Sequence, residues 1–283
     1  MTTQTHRHEV TPQAFLQLAG HALRWQLLRE LAHSDRMVNE LSELIGEPQN
    51  LVSYHLGKLR DGRLVTARQS AADRRDTYYT ADLTRIGKLL SGTAGALHPG
   101  IRLVPAAGEE ARNGRTVRVL FLCTGNSARS QMAEALARSR SNGTIRSYSG
   151  GSQPKAMHPN AVRVMREEHG LDLSGLATKH FNVFAGKKFD WVISLCDRVR
   201  EVCPPFPGSP QTVHWSMANP ATGEADDITY PLFQQTAAEL ATRIDFLLAA
   251  LSNQAPVTPR KKEKTHERAN RNGQRPLHGG RRR

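Results

Sequence analysis

Cysteine is scarce and unevenly placed. Three occur in 283 residues, Cys123, Cys196 and Cys203, with none before or after. A count this small and odd does not build the disulfide framework of a secreted domain, so reduced thiols and a cytoplasmic protein are expected. No apolar run approaches the roughly 18 to 20 residues of a membrane span. The first eight residues hold no apolar signal core. Export and membrane insertion are therefore not expected, nor is a solenoid, since internal repeats are lacking. Acidic residues are also in short supply, 26 against 39 Lys and Arg, for a net charge of +13. The imbalance is local: the excess is +3 over residues 1–115, +2 over 116–252 and +8 over 253–283. The charge total thus describes a tail, and neither larger block is marked by it as a nucleic-acid binder.

What is present divides the chain. From Ser91 to Gly114, Gly92, Gly95, Pro99, Gly100, Pro105 and Gly108 interrupt a stretch with few large apolar residues, the composition of a linker. Past Asn253 almost nothing is apolar, as in a disordered segment. The expected organisation is a first domain over 1–92, a linker over 93–115, a second domain over 116–252 and a basic disordered tail over 253–283.

Within the first domain, apolar residues at 23, 27, 28 and 31 predict a helix over 22–31. A second helix fits 38–45, closed by Gly46, and a third fits 49–60, with Val52, Leu56 and Leu59 on one stripe. The last two form a helix-turn-helix. Strands at 64–67 and 77–80, joined by a charged segment, add a hairpin wing. The face of the third helix opposite its apolar stripe presents Asn50, Ser53, Tyr54 and Gly57, flanked by His55 and Lys58. Such short polar side chains suit base edges in a major groove. Arg68, Arg74 and Arg75 on the wing suit phosphate or the minor groove.

The second domain alternates strand and helix. Strands are expected at 117–122, 145–149, 191–195 and 212–215, and helices at 130–140, 159–169 and 231–251. That order implies an α/β fold with a parallel sheet covered on both faces. The first strand ends at Cys123. Thr124, Gly125, Asn126, Ser127 and Ala128 follow, then Arg129 and Ser130 at the start of a helix. A short loop of small residues ahead of a helix can turn its N–H groups inward as an anion cradle, and the same field favours a thiolate. Arg129 can grip two oxygens of a tetrahedral oxyanion, Ser130 can hydrogen-bond the thiolate, and Asn126 tolerates a left-handed backbone. These residues outline a nucleophile in an oxyanion site.

The segment from Val119 to Ala135 resembles the active site of the low-molecular-weight phosphotyrosine phosphatase fold, and within it the thioredoxin-coupled arsenate reductases. Ser147 to Gly151, Val192 to Cys196, Cys203-Pro204 and His214-Trp215 followed by Asn219-Pro220-Ala221 agree. The resemblance covers roughly residues 117 to 251. It implies that Cys123 attacks arsenate, that Cys196 attacks Cys123 and releases arsenite, and that Cys203 then pairs with Cys196. Thioredoxin or another thiol reductant would reset the pair, with no tightly bound cofactor and no metal. A phosphatase has no use for Cys196 and Cys203.

Some positions depart from the family pattern. The expected general-acid Asp is Asn219, with Asp226 and Asp227 nearby but not aligned. An amide cannot deliver a proton, which weakens a phosphatase more than a reductase. Of the positions some reductases use for potassium, Asn126, Glu134 and Ser149 match, whereas Ala177 and Lys179 do not. The ammonium of Lys179 can replace the cation.

Residues 12 to 83, through Leu18 to Leu31, Val38 to Leu41, Leu51 to Arg60 and Leu64-Val65, resemble the ArsR-type winged-helix repressors. That implies a DNA operator as partner and a homodimer formed through this domain. With no cysteine in the domain, As(III) sensing of the thiolate type is excluded there, and His6, His8, His33 and Asp35 read as surface polar residues. The expectation is a transcriptional regulator fused to an arsenate reductase, with arsenic acting on DNA through the second domain. The competing readings are a DNA-tethered protein-tyrosine phosphatase and a non-catalytic arsenate or phosphate sensor.

Overall fold

Phe15, Leu27, Leu41, Val52, Leu56 and Leu59 are fully buried together, and their spacing builds the first domain. They come from helices α1 (Pro12–Ala19), α2 (Ala22–His33), α3 (Val38–Ile45) and α4 (Gln49–Asp61), each with apolar positions three and four apart. The computed structural model describes residues 10–103 and 116–252. The expected tail and the His6/His8 pair lie outside the described residues. Gly46, at φ 78°, supplies the left-handed residue that ends α3. Strands β2 (Val65–Gln69) and β3 (Thr77–Ala81) pair antiparallel, with Val65 opposite Ala81, and the short β1 (Arg36–Met37) joins β3. This is a winged helix-turn-helix.

In this domain α1, β1 and α5 lie outside the expected elements. Helix α1 is absent from the sequence reading, and α5 (Leu83–Leu97) occupies the start of the expected linker. The domain boundary at residue 92 therefore falls inside a helix. Asp82 caps α5 by accepting from the Arg85 N–H at 2.8 Å, and Leu83, Ile86, Leu89 and Leu90 pack on the core. A cap and an apolar stripe outweigh interior glycines that cost about 1 kcal/mol each.

The second domain is a parallel sheet of β4 (Val117–Cys123), β5 (Ile145–Gly151), β6 (Trp191–Ser194) and β7 (Gln211–His214) in the order β5-β4-β6-β7. Helices α6 (Arg129–Arg140), α7 (Pro159–His169) and α9 (Asp226–Ser252) pack with it, and a 3-10 turn spans Phe181–Phe184. Val119 to Cys123 are all buried, as a central strand covered on both faces requires. Helix α9 begins five residues before its expected start and contains Pro231. Helix α8 (Asp197–Val202) is too short for periodicity to reveal. After β4 the chain goes to one side of that strand and then returns to the other, so the crevice of the sheet opens at Cys123. No helix among the described residues is long and apolar enough to cross a membrane.

Candidate active site

The loop after β4 is held from outside by its carbonyls. Thr124 O accepts from Gln153 N–H, Gly125 O from Lys155 N–H and Ser127 O from His158 N–H, at 2.8 to 2.9 Å. Fixing the carbonyls outward turns the N–H edge inward: the Asn126 N–H donates to Cys123 Sγ at 3.2 Å. Asn126 takes the left-handed conformation, φ 46°, and its buried side chain organises the loop. Its Nδ2 donates to Ser130 Oγ at 3.0 Å and Ser149 Oγ at 2.9 Å, while its Oδ1 accepts from the Lys179 N–H at 2.8 Å. Ser130 Oγ lies 3.0 Å from Cys123 Sγ. The sulfur thus faces a backbone N–H, a hydroxyl and the first turn of α6.

Arg129 is buried beside the loop. Its guanidinium donates to Met217 O at 3.0 Å, to Leu195 O and Ala218 O at 3.4 Å, and to Asn219 Oδ1 at 3.4 Å. Asn219 in turn donates to Ala221 O at 2.6 Å, which settles its amide orientation. The expected acid position therefore presents an amide oxygen to Arg129.

Cys196 lies two residues past the end of the neighbouring strand β6, at the start of α8. Its Sγ lies 3.3 Å from Thr124 Oγ1, so a side chain of the Cys123 loop touches the second sulfur. Cys123 and Cys196 are 3% and 4% exposed, and Cys203, beyond α8, is half-buried. Burial pushes the Cys203 thiol up from its ordinary value. All three are free thiols.

Glu134 accepts from Ser149 Oγ at 2.6 Å and is paired with Arg138, with Lys179 Nζ at 3.9 Å. Two side-chain cations already face this carboxylate, and Ala177 O accepts from Gln131 Nε2 at 3.1 Å. The donor set does not fit a potassium ion.

Residues 118–257 match the low molecular weight phosphotyrosine protein phosphatase family, and residues 22–67 match the bacterial regulatory proteins of the arsR family. An arsenate reductase of Halalkalibacterium halodurans is 35% identical over 127 residues, 44% of this chain and 91% of that protein. One of Brevibacillus brevis is 36% identical over 126 residues, 44% of this chain and 90% of that protein. The chain belongs to the arsenate reductase family. A solved arsenate reductase in the phosphate binding state aligns at 29% identity and TM-score 0.40, covering 48% of this chain and 99% of that one. This arsenate reductase family member carries its arsR-family domain as an N-terminal fusion.

In that N-terminal domain the sequence-predicted DNA residues separate into two groups. Asn50, Ser53, Tyr54, Lys58, Arg74 and Arg75 are exposed, with Lys58 over the Tyr54 ring and Arg75 paired to Asp73 at 2.6 Å. Two residues depart from the reading. His55 is buried with Val52, Leu56 and Leu59, its ring 4.4 Å from that of His21. The i, i+3, i+4, i+7 spacing that places those three inward also places His55 there, and burial lowers its pKa. Arg68 turns to the reductase domain, where its Nη2 meets Asp197 Oδ2 at 2.6 Å.

Asp197 was missed by sequence reading, although its position next to Cys196 is a usable signal. It is 1% exposed and accepts from Arg68, from the Ala71 N–H at 2.7 Å and from Ser216 Oγ at 2.8 Å, with His214 Nε2 at 3.0 Å. Burial alone would raise its carboxyl pKa, and the four hydrogen bonds overcome this and hold it well below the usual carboxylate range. Burial keeps the His214 pKa low, against the pull of Asp197.

Proposed function

We propose that the reductase domain converts arsenate to arsenite through Cys123, Cys196 and Cys203, and that the arsR-family domain ties a transcriptional response to it. The observation that carries this reading is the contact between Thr124 Oγ1 and Cys196 Sγ at 3.3 Å. It sets a second thiol against the loop that holds the first. Arsenate binds the loop N–H groups and Arg129, and the Cys123 thiolate attacks arsenic and displaces one oxygen as water. Arsenic stays at the +5 level. Cys196 then attacks Cys123 Sγ, so that an S–S bond forms, the S–As bond breaks and the electron pair leaves with arsenic as arsenite. Cys203 attacks Cys196, a new disulfide forms, and Cys123 departs as a thiolate. An external dithiol, thioredoxin by preference, supplies the two electrons that reset the pair.

Asn219 beside Arg129 disfavours the phosphatase reading, because no carboxylic acid stands there to protonate an alkoxide. The exposed face of α4, with Asn50, Ser53, Tyr54 and Lys58, together with Arg74 and Arg75, is the surface assigned to a DNA operator, read by a homodimer of winged-helix domains.

Arsenite formation coupled to thioredoxin tests the reading. Turnover should be lost separately in Cys123→Ser, Cys196→Ser and Cys203→Ser. Phosphomonoester hydrolysis that survives loss of Cys196 and Cys203, without arsenate turnover, would replace it with the phosphatase. Tight arsenate binding without either activity would replace it with a sensor.

A further inference from the structure

Helix α8 spans the interval between the two relay thiols, with Cys196 as its N-cap and Cys203 as its C-cap. At about 1.5 Å per residue, seven residues of helix separate the two Cα atoms by roughly 10 Å. A disulfide needs Cα atoms about 4.4 to 6.8 Å apart. The bond therefore cannot close while α8 is intact.

Most of the side-chain hydrogen bonds of α8 run to the other domain, while Val199 anchors the helix in the reductase core. Asp197 binds Arg68 at 2.6 Å and the Ala71 N–H at 2.7 Å, and Arg198 Nε donates to Ala71 O at 3.2 Å. Arg200 donates to Tyr78 Oη at 3.0 Å and pairs with both carboxylate oxygens of Glu40. Three of the six helical residues are thus bonded to the winged helix. Within the reductase domain, His214 and Ser216 hold Asp197 as well, so its carboxylate is gripped from both sides.

We propose that Arg68 and Glu40 of the winged-helix domain are positioning residues for the thiol relay, clamping α8 so that closure of the Cys196–Cys203 disulfide and docking of the wing exclude one another. The inference rests on the pairing of those two thiols described above. The exchange itself is balanced as before: Cys203 attacks Cys196, and Cys123 leaves as a thiolate. Coupling of this kind is reciprocal. The clamp opposes oxidation, and oxidation releases Arg68, Ala71 and Tyr78 of the wing hairpin.

The test uses the full chain carrying Cys123→Ser, in which Cys196 and Cys203 are the only thiols, equilibrated with reduced and oxidised dithiothreitol. The oxidised dithiol takes the two electrons, and the disulfide fraction is read by alkylation and mass spectrometry. Arg68→Ala and Glu40→Gln should each raise the oxidation equilibrium constant about tenfold, the scale of one charge-assisted hydrogen bond. Arg68→Lys should raise it less. Equal constants in all four proteins would overturn the clamp while leaving the relay standing. No Cys196–Cys203 disulfide in any of them would overturn the relay and the clamp together. A second readout needs no clamp variant: the Ala71 amide should exchange its hydrogen faster in the oxidised than in the reduced protein. Equal exchange in the two states would also overturn the proposal.

Discussion

Asp35, between α2 and β1, and Arg243, in the middle of α9, face each other through two hydrogen bonds of 3.2 and 3.1 Å. Asp35 also accepts from the Ser216 N–H at 2.6 Å, and its own N–H donates to His214 O at 2.8 Å. A residue that reads as a surface polar group is the buried fastening between a winged helix and the last helix of a reductase.

Breaking such a pair from one side leaves the other charge desolvated. Asp35→Ala is therefore expected to cost the full chain about 3 kcal/mol, seen as a lower midpoint in urea. An unchanged midpoint would show that water enters and satisfies Arg243.

The oxyanion loop depends on a missing side chain. A Cβ at Gly151 would lie 2.6 Å from Thr124 O and 2.8 Å from Asn126 N, both backbone atoms. Gly151→Ala should push the loop out of shape and weaken phosphate and arsenate binding by about tenfold or more, with the far-ultraviolet circular dichroism retained. Calorimetric titration with phosphate measures the first effect, and wild-type affinity in the variant would refute it.

Burial holds the Cys203 thiol above its ordinary pKa of 9.0. The thiolate is the attacking form, so the rate of the last transfer should keep rising with pH beyond that value instead of levelling off below it. Below it, the Cys123–Cys196 disulfide should build up during turnover. Iodoacetamide trapping of Cys203 across pH 7 to 10 gives the titration directly. A plateau below pH 9 would contradict the assignment.

Tyr54 is 59% exposed and His55 is 5% exposed, although they are adjacent on α4. Tyr54→Ala should weaken binding to a selected operator duplex without lowering the melting temperature. His55→Ala should lower the melting temperature by leaving a cavity against His21 and the core. Gel shifts and melting curves on the same two variants separate the effects, and a reversal would place His55, not Tyr54, at the DNA.

Local chemistry was legible along the chain. The apolar run into Cys123, the small-residue loop and Arg129-Ser130 carry the strand, the cradle and the nucleophile in consecutive residues, and the winged helix follows from three apolar stripes and a hairpin. Helix α5 was not legible, because its glycines resemble a linker until its stripe finds a core. Helix α8 was not, because six residues show no period.

The sequence by itself determined both domain types and the three thiols, since each rests on neighbours or on a short repeat. Only the tertiary structure decided that Arg68 meets Asp197 instead of facing solvent on the wing, that Asp35 meets Arg243, and that Thr124 touches Cys196. Those partners are 129, 208 and 72 residues apart. An ion pair or a sulfur contact at that separation leaves no periodic trace: the two ion pairs exist because two folded surfaces bury charges between them, and the sulfur contact because β4 and β6 are neighbours in the sheet.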